Sequence, residues 1–315
     1  MRVLVTGAFG YVGHAVARAL LDDGHEVVAL TSQSPVPAWD GGGVEIVRAD
    51  VTDRAMLRDR GALAGVDAVC HLAALTRVRE SFERAQEYST TNTMGTLNLI
   101  KLLAETGCRI PFVHASTAAV YGAPDVQPID ELCQPAPASP YASSKLAADL
   151  LLEKATVDGT LSGVSLRIFN AAGTIDGRCD PDLTRIIAKA VAVAGGRFPE
   201  VTVNGDGSAV RDYVHVADVA RAFVLALGHA APGRYDAFNV GATPATVAQI
   251  LDVARNVTGH PIPAVHDPPA PEAPELRADT AKIRDVLGWE PQRSSLEQIV
   301  GDTWAARQRH EDPDN

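Results

Sequence analysis

Val3-Leu4-Val5-Thr6-Gly7-Ala8-Phe9-Gly10-Tyr11-Val12-Gly13 joins a short apolar run, rich in valine, to three glycines spaced three residues apart. The run reads as a buried first strand, and the residues from Tyr11 onward read as an amphipathic first helix. Each glycine has a separate task at such a junction. Gly7 makes the tight turn, Gly10 lets the backbone approach a pyrophosphate, and Gly13 lets the helix pack close to the strand. The helix N-terminus adds amide donors and a positive dipole end, which makes the junction a site for a dinucleotide. The spacing is G-x-x-G-x-x-G rather than G-x-G-x-x-G, and taken alone it is also compatible with an ordinary loop.

The chain beyond the junction decides between the two. Short β-branched runs alternate with longer amphipathic stretches: Glu26–Thr31, Val44–Ala49, Val66–Leu72 and then Glu80–Thr106, Pro111–Ala115 and then Ser139–Val157, and finally Gly163–Ile168. This alternation predicts an α/β fold, a Rossmann-type doubly wound parallel sheet with helices on both faces. The rhythm changes after about Ala172. A helix over Pro181–Ala194, a strand at Val201–Val203 and a helix after His215 are expected. Six prolines between Pro261 and Pro274 predict a loop or linker, helices are expected over Thr280–Leu287 and Ser294–Arg307, and the end, HEDPDN, is expected to fray. The expected division is an NAD(P)-binding domain over 1–172, rejoined by 210–242, and a smaller, mostly helical substrate domain from 173–209 and 243–315.

Composition narrows the function classes. With 46% apolar and 21% charged residues over 315 positions, the chain buries a full core and is neither disordered nor fibrous. A net charge of −11 argues against nucleic acid and an anionic membrane as partners. The four cysteines have no C-x-x-C spacing, so neither a disulfide framework nor a zinc site is expected. With no signal-like start and no apolar stretch approaching ~18 residues, the expected location is the cytoplasm.

The second strand ends Val27-Val28-Ala29-Leu30-Thr31-Ser32, where an acid would hold the adenosine ribose of NAD. The hydroxyls of Thr31 and Ser32 stand there instead, and no nearby Arg or Lys would neutralise the 2′-phosphate of NADP, which leaves NAD favoured and NADP not excluded. Asp50, closing the third strand, either accepts from the adenine amino group or caps a helix near Thr52. Further along, Tyr141-Ala142-Ser143-Ser144-Lys145 opens a predicted helix, so the phenol and the ammonium share one face. An ammonium and a bound oxidised nicotinamide both favour phenolate, which equips Tyr141 as a general base. Thr117 lies 24 residues upstream at the end of the predicted fifth strand.

With these residues in place the chain resembles the extended short-chain dehydrogenase/reductase family, most closely its nucleotide-sugar epimerase/dehydratase branch. The resemblance runs from TGAFGYVG through HLAA (His71 to Ala74), NTMGT (Asn92 to Thr96), STAAVYG, PYASSK, RIFN (Arg167 to Asn170) and RDYVHVADVA (Arg211 to Ala220) to RADTAKI. It implies that Thr117 holds the sugar oxygen being oxidised, Tyr141 removes its proton, and Lys145 binds the nicotinamide ribose and lowers the Tyr141 pKa. It also implies cofactor contacts from Phe9, Tyr11, Val12, Val51, Leu72, Ala73, Ala74 and Asn92, and substrate contacts from Thr76, Asn170, Arg211 and Glu272. The implied reaction is NAD-dependent epimerisation of a nucleotide-diphosphate hexose at C4 through a transient keto-sugar. An NADPH-dependent keto-sugar reductase is the alternative, and a non-catalytic NAD(P)-sensing regulator would not need Thr117, Tyr141 and Lys145 together. A homodimer through the helices of Glu80–Thr106 and Ser139–Val157 is implied as well.

Three departures from the pattern bear on substrate. Ala118 and Ala119 stand where the dehydratases of the family carry an acid pair, so elimination of water has no proton donor there. Asn204 and Asp182 replace an aromatic residue and an asparagine, and Pro269 falls where a phosphate-binding arginine is usual, so the clamp has one cation fewer. His71 and His215 read as structural, because no further ligand stands at metal spacing.

Overall fold

The computed structural model describes residues 1–35, 39, 42–269 and 273–311. Its centre is a seven-stranded sheet containing β1 (Arg2–Thr6), β2 (Glu26–Thr31), β3 (Val44–Arg48), β4 (Ala68–His71), β5 (Pro111–Thr117), β6 (Ser162–Ile168) and a last strand, Asp236–Val240. The order across the sheet is Asp236–Val240, β6, β5, β4, β1, β2, β3. Every neighbouring pair is parallel. Side chains of a strand alternate between faces, and β1 shows why its run is continuously apolar. Val3 and Val5 pack with Val16, Leu20, Val219 and Phe223 on one face, while Leu4 packs with Val69, Leu99, Phe112 and Leu152 on the other. Both faces are covered, by α1 (Tyr11–Asp22) with helix Val216–His229, and by helices Gly95–Thr106 and Pro140–Val157. The strand order reverses between β1 and β4, and at such a reversal the two crossovers leave in opposite directions and open a crevice at the carboxyl ends of the strands.

The expected return of 210–242 to this unit is divided between two sheets. Asp236–Val240 pairs with β6, whereas Val210–His215 pairs with Asn170–Ala172, Thr243–Thr246 and Glu275–Leu276. The buried Asp212 carboxylate stitches these segments, accepting from the backbone N–H of Ala242 at 2.6 Å and of Ala278 at 3.0 Å. Ile283 and Trp289 lie in the same buried cluster as β1, so helix Ala281–Leu287 packs with the layer that covers the large sheet.

Several elements differ from the sequence expectation, each for a local reason. The single helix expected over Glu80–Thr106 is four pieces, Val78–Glu83, Ala85–Tyr88, a wide turn of helix at Ser89–Met94, and Gly95–Thr106. Gly95 lets the last piece sit tight on the chain after β3, where a Cβ would lie 2.8 Å from Val51 Cγ2. Helix Ile186–Ala194 starts later than Pro181, because Asp182 accepts from the Thr184 amide and hydroxyl at 3.0 and 2.7 Å and holds a turn there. The proline-dense segment holds a strand, Ala264–Asp267, parallel to Val201–Asn204. Its prolines flank the strand, so no ladder donor is lost inside it. The last helix runs over Leu296–Glu311, past the expected Arg307. Ser294 stays outside it because its hydroxyl donates to Asp218 at 2.5 Å and accepts from the His215 amide at 2.9 Å.

Candidate active site

The glycine junction is built as tightly as its spacing requires. Gly7 has φ +70°, and a Cβ on it would lie 2.8 Å from the Ala73 nitrogen; a Cβ on Gly13 would lie 2.0 Å from the Gly7 carbonyl oxygen. Gly10 is the N-cap of α1 with no side-chain capping bond, and the first turn of α1 carries no acid. The orphan amides of that turn are therefore presented to a ligand oxygen, which suits a pyrophosphate. A cavity of about 590 Å³ opens beside Phe9, Gly10 and Tyr11, and Arg178, Arg197 and Arg307 line its other wall. The Tyr11 hydroxyl donates to the Gly173 carbonyl at 2.8 Å and ties the start of α1 to the segment after β6.

On the other side of the crevice, the loop after β4 hangs from Thr6. Its hydroxyl oxygen accepts from the amides of Leu72 at 3.1 Å and Ala73 at 3.0 Å, and Thr6 Oγ1 lies 2.7 Å from His71 Nδ1. His71 Nε2 lies 3.0 Å from Thr96 Oγ1, which donates to the Asn92 carbonyl. Burial and Lys145 push the His71 pKa down to about 3, so it is a neutral link in this chain of hydrogen bonds. His215 likewise caps helix Val216–His229, accepting from the Ala217 amide at 3.0 Å. Among the described residues no group of three metal-ligating side chains occurs.

At the end of β2 Thr31 is buried and accepts from the Gln33 amide at 3.1 Å, while Ser32 is exposed. Asp50 Oδ1 accepts from the amide and hydroxyl of Thr52 at 2.8 and 2.7 Å. The residue that caps the next helix is Asp53, which accepts from Met56 N at 2.9 Å, so the capping role weighed for Asp50 falls to its neighbour. Val51 is buried under Gly95.

Thr117 ends β5 and caps the short helical turn Ala118–Tyr121, its oxygen accepting from the Ala119 amide at 3.2 Å. Its hydroxyl also acts on the Tyr141 phenol, in the sense that favours the phenolate. Tyr141 is the second residue of helix Pro140–Val157, whose start is set by the Ser139 cap on the Ala142 amide at 3.1 Å and by Pro140 in the first turn. Burial holds the phenol above its usual value, opposed in part by Thr117 and then Arg185 and reinforced by Asp149. The sequence pattern assigns that pull to Lys145; in the structure the cation that acts on the phenol is Arg185, which the tertiary fold brings to it, and Lys145 is not among the groups that shift it. Lys145, one turn on, is 2% exposed, and burial brings its ammonium down to about 8. The Tyr88 ring meets Tyr141 edge-on at 6.3 Å.

Asn92 sits in the wide turn Ser89–Met94, fully buried. Its Oδ1 accepts from the Leu75 amide at 2.8 Å, and its Nδ2 donates to the Leu75 carbonyl at 3.0 Å and to Ser144 Oγ at 2.9 Å. It braces the loop that carries Ala73, Ala74 and the exposed Thr76 against the helix of Tyr141.

Beyond β6 a smaller cavity of about 90 Å³ is lined by Asn170, Asp180, Arg185 and Tyr213 among others. Asn170 Nδ2 donates to the Asp212 carbonyl at 2.9 Å. Among the described residues no ion pair joins Arg211 to Asp212 or Asp218, whose carboxylates accept from backbone amides. Glu272 lies outside the described residues. Ala118 is buried and Ala119 half-buried, and neither methyl group transfers a proton.

Sequence reasoning missed two charged groups that act on Tyr141 or Lys145, Arg185 and Asp149. Arg185 carries no periodic signal, since its place is set by the turn at Asp182. Asp149 is legible in principle: it lies four residues after Lys145 and eight after Tyr141, on one helix face.

The chain matches the model of the NAD dependent epimerase/dehydratase family over residues 3–241. The UDP-glucose 4-epimerase of Corynebacterium glutamicum is 36% identical over 320 residues, covering 97% of this chain and 95% of that one. The UDP-glucose 4-epimerase of Streptomyces lividans is also 36% identical, over 98% of this chain and 97% of its own. Among solved structures, UDP-glucose 4-epimerase from Bifidobacterium longum in complex with NAD+ and UDP superposes with a TM-score of 0.89 at 28% identity, covering 98% of each chain.

Proposed function

The chain belongs to the NAD-dependent epimerase/dehydratase family, and from that premise we propose that it is a 4-epimerase of a nucleoside-diphosphate hexose, UDP-glucose first, with NAD as resident cofactor. The observation that carries this reading is the placement of Thr117 at the end of β5, where it acts on the Tyr141 phenol, with Lys145 buried one turn along the same helix, on the carboxyl edge of the sheet from which the glycine junction also leaves β1. NAD is the cofactor named by the matching family and bound in the superposed structure; the loop directly after Thr31 offers no Lys or Arg to a 2′-phosphate, and the first cation, Arg48, stands in register with Thr31 on β3.

A bound NAD+ would supply the acceptor for the hydride of sugar C4 and, as NADH, its source for return to either face. The protein's part is proton management and grip. Thr117 donates to or accepts from O4 and holds it against Tyr141; Tyr141 as phenolate takes the O4 proton as the C4–O4 bond becomes a carbonyl, and gives it back on return. The Lys145 ammonium stabilises the phenolate and leaves a donor for the nicotinamide ribose. Asn170 and Arg211 hold the diphosphate side of the substrate, with Arg211 offering the planar fork that suits phosphate oxygens. The keto-sugar turns between the two transfers.

The balance of this scheme is testable, because each hydride removed is put back. UDP-glucose is expected to give its C4 epimer with no stoichiometric nicotinamide added and no steady change in reduced-nicotinamide absorbance. NMR of the same mixture should show no 4-keto-6-deoxy sugar, since Ala118 and Ala119 supply neither acid nor base. Oxidation of NADPH mole for mole by a keto-sugar, with no epimer from any nucleotide-hexose, would replace this reading with the reductase.

The same proposal includes a homodimer. Phe82 at 62% exposure, Met94, Leu150 at 55% and Val157 are large apolar side chains on the outer surfaces of the segments Val78–Met94 and Pro140–Val157, where a second copy would cover them. Light scattering on a sizing column should give twice the chain mass; a monomer at micromolar concentration sinks the idea. Among the described residues no helix is long and apolar enough to cross a membrane, and the proposed location is the cytoplasm, which cell fractionation checks.

A further inference from the structure

Behind the Tyr141 helix lies a buried polar cluster to which the proposed reaction gives no task. Asp149, 2% exposed, accepts from Ser116 Oγ at 2.7 Å and from Ser165 Oγ at 2.8 Å. Ser116 is the neighbour of Thr117 on β5, and Ser165 stands on β6. Both serine donors therefore aim the carboxylate from the sheet, while the helix carries it one turn beyond Lys145, on the same face. Arg167 Nε is 3.6 Å from Asp149, and its Nη1 donates to Tyr121 OH at 2.9 Å.

We propose that Asp149 is a positioning residue for the reaction: held by Ser116 and Ser165, its carboxylate is the buried counter-charge that keeps Lys145 an ammonium and locks the Tyr141 helix in register with β5. The proposal rests on the roles given to Tyr141 and Lys145 under the proposed function. The surrounding groups leave the task to Asp149. From β4 comes His71 and from β5 His114, whose rings stack at 5.4 Å, and burial and Lys145 hold both neutral. His114 Nε2 lies 3.9 Å from Asp149 Oδ1, outside hydrogen-bond reach. From β6 comes the second cation, Arg167, and from the chain before the last strand the Tyr235 phenol, driven well above its usual range by burial. Asp149, four residues beyond Lys145 and buried with it on the same helix, opposes the burial that strips the Lys145 proton; its ion-pair partner within 4 Å is Arg167, and it also raises the Tyr141 phenol.

The test is the pH profile of epimerisation of UDP-glucose by the NAD-loaded enzyme. Loss of the counter-charge makes the Lys145 proton easier to remove, so the alkaline limb moves to lower pH. In Asp149→Asn its midpoint should fall by about one unit or more, so that at a pH on the wild-type limb the variant loses activity about tenfold relative to its own plateau. Asp149→Asn strands Arg167 and risks misfolding; Asp149→Asn with Arg167→Met removes the stranded cation as well, a change that buried pairs tolerate far better, and should show the same shift. A merely structural role would lower the melting temperature and leave the limb in place in both variants, which overturns the proposal. Lys145→Met separates this from the parent reading: if it keeps wild-type turnover, the assignment of Lys145 has failed, whereas an inactive Lys145→Met beside an unshifted limb condemns Asp149 alone.

Discussion

Tyr141→Phe is expected to lower turnover by about two to four orders of magnitude while the protein keeps its fold and its NAD. One oxygen is removed. The ring still meets Tyr88 edge-on and still sits behind the Ser139 cap and Pro140, because none of these contacts involves the hydroxyl. What the resting protein loses is the phenol's interaction with the Thr117 hydroxyl, at most a single neutral hydrogen bond worth about 1 kcal/mol net. The catalytic loss is far larger, since no other group is placed to take the O4 proton: Ala118 and Ala119 have none to exchange, and Lys145 is occupied as a cation. The measurement is kcat with UDP-glucose together with the nicotinamide released on denaturation. Undiminished kcat at full NAD content would remove Tyr141 from the mechanism.

Gly13→Ala should abolish retained NAD and with it more than a hundredfold of the activity. The added methyl would lie 2.0 Å from the Gly7 carbonyl oxygen and 2.7 Å from its carbon. These are backbone atoms, so relief requires α1 to lift from β1. α1 cannot lift freely, because Val16 and Leu20 are wholly buried against the same cluster as Val3 and Val5. Overpacking of this kind costs about 1–3 kcal/mol or more, and what moves is the turn whose amides face the pyrophosphate. Gly24 is the control. It has φ +79° with nothing within 4 Å of a Cβ, so Gly24→Ala meets only backbone strain, roughly 1–2 kcal/mol, and NAD content should be unchanged. If both variants keep equal NAD, the close approach of α1 to the Gly7 turn is not what seats the cofactor.

Much of this protein is legible in short windows of sequence. The valine run before Gly7, the glycine spacing, and the four-residue step from Tyr141 to Lys145 are local signals, because strand burial, φ > 0 turns and helical faces repeat within a few residues. The family motifs read outward from them lead to the same reaction class as the relatives at 36% identity. Other features are settled by partners distant in the chain. Thr117 reaches Tyr141 because β5 and helix Pro140–Val157 pack together. Asp149 gains its role from serines on two strands, 33 and 16 residues away. Val210–His215 leaves the large sheet for Asn170–Ala172, and Ala264–Asp267 becomes a strand beside Val201–Asn204 despite its flanking prolines. In each of these the backbone donors and buried charges are satisfied by groups that a local window does not contain. Sequence determined the junctions and the chemistry-bearing residue types; the tertiary structure alone decided which of them meet, because pairing and desolvation are properties of neighbours in space.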